Sequence, residues 1–219
     1  MTAIITSVKR PGGIEMRLTK EQATANRQLV LDTAGRLFRE RGFDGIGVAD
    51  LMREAGFTHG GFYNHFASKS ELEALVSQEI MAKAAAKLAA KAQDPSRKRK
   101  DIFAEYVAGY LSTENRDQPG QACALPSLCA DIARQGSEVK QAFGAGLESY
   151  LASLLLVMPA RRDAKGKKRP ASRADAIAAM AALVGGMVLA RAIAGTDEAA
   201  SSEILAAVQE HVLGDSPNK

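Results

Sequence analysis

Apolar side chains recur at helical intervals along nearly the whole chain. Val30, Ala34, Leu37 and Phe38 fall at i, i+4, i+7 and i+8, a stripe that turns one helix face toward a core. That pattern predicts a first helix from about Lys20, stopped by Gly42. Val48, Leu51, Met52 and Ala55 predict a short second helix over 48–55, broken at Gly56. Thr58 is a candidate N-cap for a short third helix over 59–66, with Phe62 and Phe66 on its inner face. Ser68-Lys69-Ser70-Glu71 reads as a capping box that opens a longer fourth helix ending before Asp94-Pro95-Ser96.

The same period continues beyond that break. Ile102, Phe103, Tyr106, Val107 and Tyr110 mark a fifth helix, and Asn115 to Gly120 reads as a loop. A short helix is expected over 125–134, and Val139, Phe143, Leu147, Tyr150, Leu151 and Leu154 mark a long one ending near Pro159. Residues 161–173 read as a basic, solvated connection, followed by helices over about 173–195 and 199–213. Pro11-Gly12-Gly13 interrupts any helix near the start, so residues 1–19 read as a flexible arm made basic by Lys9, Arg10 and Arg17. The expected fold is all-α: an N-terminal three-helix unit over 20–67 and a larger helical domain over 68–215.

Composition narrows the functional classes. The net charge of +4 permits an anionic partner without demanding one. Residues 1–72 hold ten Lys/Arg against eight Asp/Glu, a difference of only +2, so a case for nucleic acid rests on where the charges stand. Two cysteines, Cys123 and Cys129, are too few for a disulfide scaffold and suit a reducing cytoplasm. The uncharged run Ile177–Ala190 is fourteen residues, short of the roughly 20 that a membrane span needs, and reads as a buried helix. No metal-ligand set, nucleotide loop or nucleophile–base pair stands out, so neither an enzyme nor a cofactor is expected.

Two short helices joined by a tight glycine turn and braced by an amphipathic helix suit DNA reading. The second can enter a major groove about 12 Å wide while the first crosses the backbone. Gly60 and Gly61 let it come close to the bases. With Phe62 and Phe66 facing inward, His59, Tyr63 and Asn64 face outward. Asparagine can pair bidentately with adenine, and a tyrosine hydroxyl can bond phosphate.

The run LFRERGFDGIGVADLMREAGFTHGGFYNHFASKSEL, Leu37 to Leu72, closely resembles the N-terminal domain of the tetracycline-repressor (TetR) family of bacterial regulators. The matching parts are RGF after the first helix, the apolar helix ending in EAG, the FT-x-G turn, FYNHF and SKSEL, all in fixed order. The resemblance implies a homodimer on double-stranded operator DNA, with a larger helical domain holding a ligand cavity and the dimer interface. It places Thr58, His59, Gly60, Gly61, Tyr63, Asn64 and His65 in the DNA-facing stretch. It also puts Lys69 where the family has a phosphate-contacting lysine, and Arg27 where it has a backbone-touching basic residue. Gly47 and Gly61 depart from the Ser or Thr usual there.

The function implied is a repressor released by a small-molecule inducer or reactive species. The alternative is a DNA-binding regulator, repressor or activator, governed by a protein partner rather than a small ligand. Phe103, Tyr106 and Tyr110 could line the cavity or serve as core. GQACALPSLCADIA followed by EVKQAF is similar to one subgroup of the family, some of whose members respond to electrophiles or oxidants. If Cys123 stands at a helix N-terminus its thiolate would be favoured, which makes it a candidate sensor. His65 could contact phosphate or only pack, and Cys129 reads as a small buried hydrophobe.

Overall fold

The structure, a computed structural model, describes residues 19–163 and 165–214. The basic-arm residues Lys9, Arg10 and Arg17 lie outside the described residues. Helix α1 (Lys20–Arg41) starts at a reciprocal cap: Thr19 Oγ1 accepts from Gln22 N, and Gln22 Oε1 accepts from Thr19 N. Its end requires glycine, since Gly42 has φ 74° and an added Cβ there would stand 2.5 Å from Asp131 Oδ2. Helix α2 (Val48–Glu54) follows from an uncapped Gly47. The next element is a single stretch of 3₁₀ helix, His59–Asn64, where a longer helix was expected. Gly60-Gly61 gives poor helical propagation, and Thr58 places no side-chain cap bond, which corrects the expected cap.

Helix α3 (Lys69–Ala92) is capped by Ser68 Oγ accepting from Glu71 N. The Glu71 carboxylate reaches one residue further back, to Ala67 N at 2.6 Å, so the capping box closes on a neighbouring amide. After α4 (Arg99–Tyr110), α5 (Thr113–Asp117) overlaps the start of the Asn115–Gly120 stretch expected as a loop; it is capped by Ser112 and anchored by buried Arg116 on Ser201 Oγ at 2.8 Å. Helices α6 (Ala124–Ile132), α7 (Ser137–Val157), α8 (Arg173–Ile193) and α9 (Glu198–Leu213) complete the helical set. Residues 161–173 are not plain loop: β1 (Arg161–Arg162) and β2 (Lys168–Arg169) form a small antiparallel hairpin. Strands of two residues leave no alternation to read.

Two hydrophobic cores result. The first joins α1, α2, the 3₁₀ element and the start of α3, around Phe38, Phe43, Leu51, Phe62 and Phe66. Ala124, Leu128 and Ile132 of α6 and Val139 of α7 also belong to it, so the N-terminal unit is roofed by the second half of the chain. Phe43 N donates to Asp131 Oδ2 at 3.0 Å, and the Arg39 guanidinium donates to the Gly120 carbonyl, fastening the same seam. The second core lies among α3, α4 and α7–α9, around Phe103, Val107, Leu154, Leu183 and Met187. Helices α3 and α7 share the most extensive contact in the molecule, set by Gly146, where a Cβ would stand 2.5 Å from Met81 Cβ.

Helix α8 is the one helix among the described residues that is long and apolar enough, by composition, to cross a membrane. In the fold it is packed on α9 and α7 through Ala179, Leu183, Met187 and Ala190.

Candidate functional site

The outward face of the 3₁₀ element is built from its inward one. Phe62 and Phe66 are buried with ring centroids 5.4 Å apart, and they form the floor on which the polar residues stand. Tyr63 is 64% exposed, the most exposed large apolar side chain found, and its ring stands edge-on to Phe62 at 5.3 Å. His59 and Asn64 are exposed beside it, and the His59 and Tyr63 rings stand 6.2 Å apart. A protruding tyrosine beside an asparagine and a histidine offers donors and acceptors to a groove without first breaking internal bonds. Thr58 and Gly60 are exposed and Gly61 is half-buried. A Cβ at Gly61 would make only ordinary contacts, at 3.6 Å with Met52 and 3.7 Å with Thr58 Oγ1, so packing does not require glycine there.

The flanking basic residues are less free than the outward face. Arg27 stacks over the Phe66 ring at 5.0 Å, and burial together with the Arg27 charge depresses the His65 pKa. Lys69 Nζ donates to the Phe43 carbonyl and pairs with Glu73 at 3.6 Å. Burial raises the Glu73 pKa against the opposing pull of Lys69. Lys69 is therefore turned onto the protein in this conformation, and a phosphate would have to compete for it.

A second feature sits behind this face: a cavity of about 560 Å³ between α1, α3, α4, α7 and the start of α6. Its inner wall is apolar and phenolic, with Val76, Ile80, Met81 and Leu88 facing Tyr106, Tyr110, Tyr150 and Cys123. The Tyr106 and Tyr150 hydroxyls bond each other at 2.9 Å. Tyr110 Oη is buried without a hydrogen-bond partner. Phe103, in contrast, is 1% exposed in the second core and is not among the residues that line this cavity.

Cys123 is the N-cap of α6, yet its thiol is not activated: burial pushes its pKa up and outweighs the Leu125 amide and the neighbouring Arg191 charge. Half-buried Cys123 thus gains no favoured thiolate from its cap position alone, since burial opposes the helix end. Cys129 is also pushed up, to about 11, by burial and by Cys123. Sequence reading missed Arg39, Asn115 and Tyr150 as cavity residues. Arg39 belongs to α1, where only its neighbours' apolar spacing was informative, and nothing local ties it to a wall formed by four other helices. Among the described residues no group of three or more His, Cys, Asp or Glu could hold a metal.

The family profile for bacterial regulatory proteins of the tetR family matches residues 30–75. The HTH-type transcriptional regulator AcrR of Shigella flexneri is 41% identical over 56 residues, 26% of this chain and 26% of that protein. The HTH-type transcriptional repressor DhaR of Mycobacterium sp. (strain GP1) is 28% identical over 109 residues, 50% of this chain and 53% of that protein. The match thus spans between about a quarter and a half of these relatives' lengths. Over nearly the full length, the fold is similar to a TetR-family regulator from Agrobacterium tumefaciens, with a TM-score of 0.69, 20% identity, and coverage of 88% of this chain and 97% of that one.

Proposed function

We propose that this chain, which belongs to the tetR family of bacterial regulatory proteins, represses transcription by holding operator DNA as a homodimer and lets go when a small molecule fills its cavity. The carrying observation is the His59–Asn64 face, whose polar side chains stand free on a buried phenylalanine floor. Tyr63 and Asn64 are the readers, with Thr58, His59, Gly60 and Gly61 at the groove and Arg27, His65 and Lys69 toward the backbone. The site of action is the cytoplasm, where such DNA lies.

Dimerisation is supported by α8. Ile177, Val188 and Leu189 are 45%, 43% and 59% exposed and share a face with small Ala178, Ala181 and Gly185. An apolar stripe of that kind is costly in water and suits close approach of a second copy. The two reading faces would then need centres about 34 Å apart, one turn of DNA.

Selection from a randomised duplex pool at fixed salt tests the reading. The expected result is a palindrome with half-sites one turn apart, bound by a dimer in sedimentation. A stable monomer at micromolar concentration, or no enrichment over salt-sensitive background, would overturn it. Control by a small molecule is favoured over control by a protein partner because the cavity is formed and lined by an unpartnered buried hydroxyl.

A further inference from the structure

The polar groups of the cavity are unequally engaged. Of its lining carboxylates, Asp32 and Glu79 pair with Lys83 at 2.9 and 2.7 Å, and Glu105 pairs with Lys91 at 2.6 Å and with Arg97. Lys87 and Arg39 line the same cavity and make no ion pair among the described residues. Arg39 uses Nε and Nη2 on one carbonyl, that of Gly120, which leaves Nη1 unbonded. Burial lowers its pKa, with Cys123 and Glu40 pulling the other way. Arg191 repeats the pattern nearby: its three nitrogens bond Arg116 O, Ser127 Oγ and Asn115 O, no carboxylate among them. Arg39, Tyr110 and Cys123 all line this cavity.

Tyr110 carries a donor with no acceptor. The adjacent Cys123 thiol is a weak acceptor and no substitute for oxygen. An unmade hydrogen bond and a guanidinium without an ion pair thus line the same cavity, beside an apolar stretch of wall made by Val76, Ile80, Met81 and Leu88. Resting on the ligand-responsive reading above, we propose that the cavity takes an organic anion: a carboxylate that accepts from Tyr110 Oη and stands against the Arg39 guanidinium, carried on an apolar body that lies along Val76, Ile80 and Leu88. A neutral carbonyl compound would satisfy Tyr110 but leave Arg39 without its anion, and a cation would meet the guanidinium's repulsion. Engaging Arg39 also competes with Gly120 for its donors, and so touches the fastening between the reading unit and α6.

The test uses the full-length protein with naphthoate against naphthamide, and decanoate against decanamide, by titration calorimetry. Each acid should bind about tenfold or more tightly than its amide, the range of a charge-assisted bond. Arg39→Gln should erase most of that preference while leaving amide binding nearly unchanged, and Tyr110→Phe should weaken acid and amide alike. Tyr110→Phe, whose hydroxyl has no bond to lose, guards against loss of folding as the cause. Amides that bind as well as acids, acids that do not bind at all, an unchanged preference in Arg39→Gln, or undiminished acid affinity in Tyr110→Phe would overturn the proposal. Operator affinity of the ligand-free protein is measured in parallel: its absence would strike at the regulator reading, and its presence with indifferent acids would strike at the anion alone.

Discussion

Of the five buried phenylalanines, Phe38, Phe43, Phe62 and Phe66 stand in the first core and only Phe103 in the second. The reading unit is a small volume filled by large rigid rings. The second half packs leucine and methionine against alanine and glycine: Ala85, Ala176, Ala179, Ala190, Gly146 and Gly186. A ring has few ways to fill a space, so the first core fixes one geometry for the face above it. Small residues let helices approach but leave a chamber where they diverge, and the cavity lies there. One region holds the polar groups of its His59–Asn64 face outward and unengaged, and the other holds its polar groups inward, mostly engaged with each other.

If that contrast is right, the largest effect comes from removing a ring of the floor. Phe62→Ala should lower unfolding free energy by about 3–5 kcal/mol in urea titrations and abolish operator binding with it. A loss below 1 kcal/mol would mean the first core is not set by its rings. Asn64→Ala should instead weaken specific DNA binding by about 1–3 kcal/mol, read by anisotropy at constant salt, and leave the urea midpoint unmoved. A fall in stability would show that the outward face is not free.

The cavity predicts two small effects of opposite sign. Tyr110→Phe, by removing a buried unpaired hydroxyl, should raise stability by about 1 kcal/mol, whereas Tyr106→Phe should lower it by a similar amount by breaking the Tyr150 bond. The smallest effect is in pH. The His65 pKa is depressed below 6.5 in the fold, so the unfolded chain takes up that proton first as pH falls. Its contribution is therefore present above the unfolded value and lost on acidification through and below it. His65→Gln should flatten the slope of urea midpoint against pH between about pH 7 and pH 5. An unchanged slope would place the titration elsewhere.

The same contrast explains what the sequence disclosed. The spacing of Val30, Leu37 and Phe38, the breaks at Gly42 and Gly56, and the pair Phe62 and Phe66 are local signals, and they located the reading unit closely. They did not reveal that Gly60-Gly61 shortens the third helix into a 3₁₀ turn, or that Glu71 would favour the Ala67 amide. Those outcomes turn on competition between nearly equal local bonds. The cavity was legible only as Tyr106, Tyr110 and Cys123. Arg39 and Tyr150 join them across helices far apart in sequence, and the thiol's suppression depends on solvent exclusion that no spacing records.

The close contact at Gly146 has a mechanical reading. With the Met81 side chain pressed against the bare backbone of Gly146, α3 and α7 meet with a side chain on one helix only, and this close point can serve as a fulcrum. The arm of α3 from Met81 to Lys69 is about twelve residues, or ~18 Å at the rise of an α-helix. Its tip adjoins the reading turn. A rotation of only about 5° about that fulcrum would swing the tip by roughly 1.6 Å over that length. In a dimer the two arms move together, so the gap between reading faces changes by up to twice as much, on the scale of a hydrogen bond's reach.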